Sequence, residues 1–157
     1  MKHVARRHFL QVFGSSTALS VLVGSGLLKP GMALAVDFNR SAFEARTAAD
    51  ALRLIGAAGA ETSPDILIKA PEIAENGAVV PIEVTSRIPG TTRLSVLVDN
   101  NPYPLALQFN FAAGATPTFQ AKLKMAETSR LRVVASAAGR HYTLFREVKV
   151  TVGGCGE

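Results

Sequence analysis

Phe145-Arg-Glu-Val-Lys-Val-Thr-Val152 is the stretch that decides the fold, because apolar and polar residues alternate along it. Alternation with a period of two is typical of a half-buried β-strand. Similar short stretches, separated by turn residues, recur from Asp65 onward. The predicted strands cover residues 66–68, 79–88, 92–98, 105–111, 118–125, 129–136 and 141–152. A spacing of about ten residues per strand predicts a mainly β fold, an immunoglobulin-like β-sandwich of about seven strands.

A short glycine-rich arm follows the last predicted strand. It consists of Gly153, Gly154, Cys155, Gly156 and Glu157. Glycine populates both halves of φ space, so we expect this arm to be flexible. The thiol of Cys155, the only cysteine of the chain, would be carried roughly 10 Å beyond Val152. A thiol on a flexible arm suits a carrier that must reach several sites, and it does not suit a catalyst, which must hold one geometry. The alternative is that Cys155 is an incidental terminal cysteine without a function.

The N-terminal 35 residues have the pattern of an export signal. Arg6 and Arg7 precede Phe9 and Leu10, a mildly apolar stretch covers residues 12–28, and Ala-Leu-Ala ends at residue 35. This pattern predicts a cleaved twin-arginine signal peptide over residues 1–35 and a periplasmic location. A permanent membrane anchor is the alternative, but the stretch is short for one and interrupted by polar residues. We therefore expect a helix-plus-sandwich domain over residues 36–152 and the flexible arm over residues 153–157.

One amphipathic helix is predicted before the sandwich, over residues 38–55. Ser41 and Glu44 have the spacing of a capping box, and Gly56 is a plausible C-terminal stop. Because one side of this helix is strongly apolar, we expect it to lie on a sheet. Residues 57–64 are small and are interpreted as a linker.

Charge and composition exclude several classes of function. Four of the 17 basic residues belong to the signal peptide, which leaves 13 basic against 12 acidic residues in a mature chain of 122. The nearly neutral net charge of the mature chain argues against nucleic-acid binding, and no membrane association is expected after the signal peptide is cleaved. A single cysteine in an oxidising compartment is reactive, capped or paired with another chain. The mature part contains one histidine, His141, which excludes a multi-histidine metal site.

No catalytic partner for Cys155 is apparent. His141 lies at the opposite end of the last predicted strand, which places it some 30 Å or more from the thiol, and it is expected to be an exposed strand-end residue. Glu72, Glu75 and Asp99 lie near predicted turns and are expected to be solvated, with no acid–base pairing. One reactive group without surrounding machinery favours a carrier over an enzyme.

Three segments carry a resemblance to a known family. They are residues 70–82 (Ala-Pro-Glu-Ile-Ala-Glu-Asn-Gly-Ala-Val-Val-Pro-Ile), 99–105 (Asp-Asn-Asn-Pro-Tyr-Pro-Leu) and 148–156 (Val-Lys-Val-Thr-Val-Gly-Gly-Cys-Gly). With the leader and the helix, they resemble the SoxY family, the carrier subunits of the periplasmic Sox sulfur-oxidising system. Residues 70–82 also have a purely structural interpretation as a turn leading into a strand, which we favour over contact with a partner.

The resemblance implies that Cys155 bears sulfur intermediates covalently and that no other cofactor is needed. It implies a heterodimer with SoxZ and transient encounters with SoxXA, which joins thiosulfate to the cysteine, with SoxB, which releases sulfate, and with SoxCD, which oxidises the remaining sulfane sulfur. The family usually ends in Gly-Gly-Cys-Gly-Gly, whereas this chain ends in Glu157. A β-sandwich interaction or structural module with an incidental cysteine is the alternative function.

Overall fold

The computed structural model describes residues 39–151. The predicted signal peptide, including Arg6 and Arg7, and the arm with Gly153, Gly154, Cys155 and Gly156 lie outside the described residues. Within the described part, no helix is long and apolar enough to cross a membrane.

The predicted N-terminal helix is two short helices, α1 (Arg40–Glu44) and α2 (Ala48–Leu54). The prediction of one continuous helix is therefore wrong. Thr47 interrupts it, because its Oγ1 accepts the backbone N–H of Asp50 at 3.1 Å and so begins a new helix. Helix α1 is capped in the same way by Asn39, whose Oδ1 accepts from the Ala42 N–H, and not by the predicted Ser41.

The predicted stop at Gly56 is confirmed. Gly56 has a φ of 78°, a left-handed conformation that glycine adopts without a steric cost. Its N–H donates to the carbonyl of Arg53, and the N–H of Ala57 donates to the carbonyl of Leu52. These two bonds form a Schellman motif that satisfies the last carbonyls of α2.

Nine strands follow within the described residues. They are β1 (Glu61–Thr62), β2 (Ile66–Lys69), β3 (Ile73–Ala74), β4 (Val80–Ser86), β5 (Thr91–Val98), β6 (Leu105–Asn110), β7 (Thr118–Leu123), β8 (Ser129–Ala137) and β9 (Arg140–Val150). Seven correspond to the predicted strands. The two-residue strands β1 and β3 were not predicted, since they fall in the segments interpreted as a linker and a turn.

The strands form two sheets, which confirms the predicted β-sandwich. The large sheet has the order β1-β9-β8-β5-β6, with β3 also paired to β9, and the small sheet has the order β2-β4-β7. Between them lies a core in which Val80 and Val84 of the small sheet face Leu94, Val96 and Val133 of the large one. Burial of such side chains is the main source of stability in a fold of this kind.

The helices cover the other face of the large sheet. Ala42, Ala51 and Ile55 pack with Leu97 of β5 and Val134 of β8. Strand β5 is consequently buried on both faces, from Leu94 to Val98. The prediction that the helical region lies on a sheet is confirmed.

Candidate functional site

Strand β9 leads directly into the arm, and its last residues are held on both edges. On the β3 side, the N–H of Lys149 donates to the carbonyl of Glu72 at 2.9 Å, and the N–H of Thr151 donates to the carbonyl of Ala74 at 3.1 Å. On the other side, the N–H of Val150 donates to Thr128 Oγ1 at 3.0 Å. The chain is therefore fixed up to Thr151, four residues before Cys155.

The turn at Asn76 and Gly77 packs against this end of β9. Asn76 Oδ1 accepts the N–H of Ala78 at 2.9 Å, and the carbonyl of Gly77 accepts the N–H of Met125 at 2.7 Å. A Cβ on Gly77 would overlap the carbonyl oxygen of Met125 and lie 2.8 Å from Val150 Cγ1. Glycine is thus required here by close approach rather than by an unusual backbone conformation.

Two asparagines at the end of β5 hold the loop that carries Thr128. Asn101 Nδ2 donates to the carbonyl of Lys124 at 2.8 Å, and Asn101 Oδ1 accepts the N–H of Ala126 at 3.0 Å. Asn100 Nδ2 donates to the carbonyl of Thr128 at 2.9 Å. Because these bonds fix the loop, they also position the hydroxyl that binds Val150.

The three segments singled out in the sequence therefore meet at one end of the sandwich. We name this cluster the arm collar; it comprises residues 72–77, Asn100, Asn101 and residues 124–129, arranged around Val150 and Thr151. Hydrogen bonds join each part to the next. Residues 70–82 do form a turn leading into a strand, and the structure adds that the turn supports the base of the arm.

His141 lies away from the collar, at the start of β9. Its Nδ1 is 3.0 Å from the hydroxyl of Ser136, and the side chain is half-buried rather than exposed as expected. Ten residues of strand separate it from Thr151, which corresponds to about 33 Å. Within the described residues, His141 is therefore far from the base of the arm.

Asp99 differs from its prediction as a solvated turn residue. Its carboxylate accepts two hydrogen bonds from Arg132, at 3.2 Å from Nε and 2.7 Å from Nη2. The two side chains are only 15% and 18% exposed, so this is a largely buried, bidentate ion pair. Sequence reasoning missed it because the partners are 33 positions apart and meet only when β5 pairs with β8.

The other carboxylates agree with their predictions. Glu72 is exposed and pairs with Arg146 at 3.3 Å, and Glu75 is exposed. Among residues 39–151, no group of histidine, cysteine and carboxylate side chains is arranged to hold a metal ion.

Comparison with known proteins places the chain in a family. Residues 52–155 match the profile described as Sulfur oxidation protein SoxY. The solved structure of the sulfur carrier protein SoxY from Chlorobium limicola f thiosulfatophilum is 40% identical, with a TM-score of 0.62 over 70% of this chain and 96% of that one. This chain belongs to the SoxY family. The resemblance seen in the sequence is thereby confirmed, and the matched residues extend to Cys155.

Two further comparisons add nothing to this assignment. A superoxide reductase (neelaredoxin) from Ignicoccus hospitalis is 17% identical, with a TM-score of 0.49 over 62% of this chain and 86% of that one, a likeness too weak to bear on a member of the SoxY family. No curated protein matches the chain.

Sequence reasoning missed the roles of Thr128, Asn100, Asn101 and Gly77. Residues 70–82 were expected to form only a turn leading into a strand, and Asn100 and Asn101 were included in the family resemblance of residues 99–105. The available signal was that residues 70–82, 99–105 and 148–156 all carry the family resemblance. Nothing local to any one segment shows that the three meet in space.

Proposed function

We propose that this protein is a covalent carrier of sulfur intermediates in the oxidation of thiosulfate or sulfide, and that Cys155 holds them. Membership of the SoxY family supports a carrier role, and the related structure from Chlorobium is described as a sulfur carrier protein. The protein itself would catalyse no step. Its only cofactor would be the sulfur bound to Cys155.

The observation that carries the proposal is the fixed base of the arm. Val150 and Thr151 are hydrogen-bonded on opposite edges of β9, and Cys155 follows four residues after Thr151. A flexible segment that starts from a rigid base sweeps a limited volume, roughly 13 Å in radius for four extended residues. A thiol presented in this way stays attached and local while it reaches into the active sites of other proteins.

The chemistry of such a carrier would begin with one oxidation and one hydrolysis. Joining the Cys155 thiol to thiosulfate forms an S–S bond and releases two electrons and a proton, which a haem enzyme of the SoxXA type would accept. Water then cleaves the terminal S–S bond of the thiosulfonate and leaves a persulfide, with release of sulfate and two protons; SoxB is the enzyme proposed for this step. SoxCD would then oxidise the remaining sulfane sulfur to a sulfonate, taking three oxygen atoms from water and passing six electrons to an electron acceptor with release of six protons. A second hydrolysis would free this sulfonate as sulfate and restore the thiol of Cys155. In this proposal each step takes place on the sulfur bound to Cys155, and the catalytic groups belong to the other proteins.

The proposal extends to location and partner. The pattern around Arg6 and Arg7 supports export by the twin-arginine route and function in the periplasm. SoxZ is the proposed stable partner, in a heterodimer. These assignments follow from the family resemblance and the leader.

Intact mass measurement of the mature protein, purified from the periplasm of thiosulfate-grown cells, tests the proposal. We expect adducts that correspond to thiosulfonate, sulfane or sulfonate groups, removed by reductant and absent from a Cys155→Ser variant. A bare thiol alone, or only a disulfide between two chains, would instead favour a structural β-sandwich module. A co-purifying small subunit in the same spectrum would test the heterodimer with SoxZ.

A further inference from the structure

One asparagine of the chain differs from the other four in the residue that follows it. Asn76 precedes Gly77. The residues that follow the others are arginine, asparagine, proline and phenylalanine, after Asn39, Asn100, Asn101 and Asn110. Because glycine has no side chain, the backbone nitrogen of Gly77 approaches the side-chain carbonyl of Asn76 with little steric hindrance. The sequence therefore singles out Asn76 for attack by the backbone that follows it.

The structure leaves the side-chain amide of Asn76 available for this attack. Asn76 is exposed, and its Nδ2 donates no hydrogen bond within residues 39–151. The backbone N–H of Gly77 has no acceptor in the same part of the chain. The other four asparagine side chains are tied by hydrogen bonds to residues 15 or more positions away, namely Leu54, Thr128, Lys124 and Arg93.

The hydrogen bond that the Asn76 side chain accepts would assist the attack. The backbone N–H of Ala78 donates to Asn76 Oδ1 at 2.9 Å. When the Gly77 nitrogen adds to Cγ of Asn76, negative charge develops on Oδ1. A donor that already points at an oxygen of this kind stabilises the developing charge. The Ala78 N–H is therefore placed to stabilise the tetrahedral intermediate.

We propose that Asn76 is a site of spontaneous deamidation and that its isoaspartate product releases the turn at Asn76 and Gly77 from the end of β9. The Gly77 nitrogen forms a bond to Cγ of Asn76, and the Cγ–Nδ2 bond breaks. The proton of the Gly77 N–H passes through water to the departing nitrogen, which leaves as ammonia. Water then opens the succinimide ring, at Cγ to give aspartate or at the backbone carbonyl of residue 76 to give isoaspartate. No electrons are transferred, and the inference does not depend on the proposed carrier function.

Isoaspartate is incompatible with the packing of this turn. It brings the Cβ of residue 76 into the main chain, which lengthens the backbone before Gly77 by one atom. Gly77 is buried, and an atom at the position of its Cβ would overlap the carbonyl oxygen of Met125 and lie 2.8 Å from Val150 Cγ1. The site therefore has no room for a displaced backbone. We expect the hydrogen bond from the Met125 N–H to the Gly77 carbonyl to be lost.

Incubation of the full-length mature protein in mildly alkaline buffer, followed by tryptic peptide mapping, tests the modification. The tryptic peptide of residues 70–87 contains Asn76 and no other asparagine or glutamine, and chromatography separates its asparagine, aspartate and isoaspartate forms. The peptide of residues 94–122 carries three of the other asparagines and is the internal control. We expect residues 70–87 to convert at least about tenfold faster, a difference of about 1.4 kcal/mol in activation free energy. Equal rates in the two peptides would overturn the modification site.

Amide hydrogen exchange on the aged protein tests the structural consequence. The Met125 amide should exchange about tenfold faster in the isoaspartate form, because local opening no longer has to break its bond to Gly77. The Thr151 amide should also exchange faster, since its acceptor is the carbonyl of Ala74, two residues before the turn. The amide of Val133 in the core should keep its rate.

Two variants separate the longer backbone from the new charge. Asn76→Asp carries the charge of the aspartate product on an unaltered backbone, so its Met125 amide should exchange as in the fresh protein. Asn76→Ser cannot deamidate, and its hydroxyl can still accept the Ala78 N–H, so incubation should leave its exchange unchanged. Unchanged exchange at Met125 in the isoaspartate form, or equally fast exchange in Asn76→Asp, would overturn the release of the turn.

Discussion

The backbone N–H of Val150 donates to the hydroxyl of Thr128 at 3.0 Å. This side-chain hydrogen bond fixes β9 at a residue that lies beyond its last pairing with β8. Strand β8 begins at Ser129 and pairs with β9 only up to Val148. Thr128 supplies the next acceptor by means of its side chain. The point at which the arm begins is therefore set by the loop before β8 and by β3 together.

Thr128→Val should loosen the base of the arm without disturbing the core. Valine has nearly the same shape as threonine but cannot accept the Val150 N–H, so we expect faster hydrogen exchange at Val150 and a loss of about 1 kcal/mol in the free energy of unfolding. NMR-detected exchange and urea denaturation provide the two measurements. Thr128→Ser keeps the hydroxyl and should behave like the unsubstituted protein. Unchanged exchange at Val150 in the valine variant would show that the contact does not hold the strand.

Gly77→Ala should destabilise the fold by about 1–3 kcal/mol, the usual cost of forcing a methyl group into a closely packed site. The added Cβ would collide with the carbonyl of Met125 and with Val150, and would push the Asn-Gly turn away from the end of β9. Thermal and urea unfolding measure the loss. Gly59→Ala is the control, because a Cβ there meets nothing within 4 Å. Equal stability of the two variants would contradict the close approach at Gly77.

Asp99→Ala should cost about 2 kcal/mol in the free energy of unfolding. The substitution leaves the largely buried guanidinium of Arg132 without its bidentate partner, and loss of one member of such a pair is costly. Glu44→Gln is the comparison: it removes an exposed pair with Arg40 at 3.9 Å, a type of contact that contributes little. If both variants unfold at the same urea concentration as the unsubstituted protein, the Asp99 pair has no structural importance.

Glu83 should make stability depend on acid pH. Hydrogen bonds from Lys69 and from Gln120 lower the pKa of the Glu83 carboxyl below its ordinary value of 4.5. A carboxyl with a lowered pKa in the folded state stabilises the protein above its unfolded pKa, and this contribution is lost as the pH falls through the folded pKa. The difference in stability between the unsubstituted protein and Glu83→Gln should therefore shrink as the pH falls below 4.5.

Urea unfolding of both proteins at pH 6 and at progressively lower pH provides this comparison. Glu75→Gln is the control, since Glu75 is exposed and makes no ion pair within residues 39–151. A constant difference between the unsubstituted protein and Glu83→Gln across this range would contradict the lowered pKa.

The sequence predicts those strands of this fold that are long enough to show an alternation of apolar and polar residues. Strands such as β5 and β9 extend over 8 and 11 residues, so alternation identifies them. Strand β3 has two residues, which are too few to show any periodicity. It forms because Ile73 and Ala74 pair with Lys149 and Val150, which are distant in sequence. The break between α1 and α2 was missed for a different reason: Thr47 is compatible with a helix interior, and only its bond to the Asp50 N–H makes it a cap.

The same limit applies to the candidate site. Cys155 and its flanking glycines are evident from composition and position, and they remain predictions. The collar depends on contacts such as Asn101 with Lys124 and Ala126, which involve residues with no distinctive local pattern. The thiol of Cys155 can be identified from one segment of the sequence, whereas the residues that position the base of the arm come from several segments.

The pairing of β9 on both edges also has a mechanical consequence. In the proposed carrier function, an enzyme that draws in the arm would pull on the folded domain at Thr151, and the pairing of β9 determines how the domain bears a pull along this strand. Hydrogen bonds to β8 and β3 lie across that direction, so they are loaded together in shear and are not peeled apart one after another. A pull along β9 would therefore have to break several hydrogen bonds at once, so a carrier of the proposed kind would keep its sandwich folded through repeated cycles of delivery.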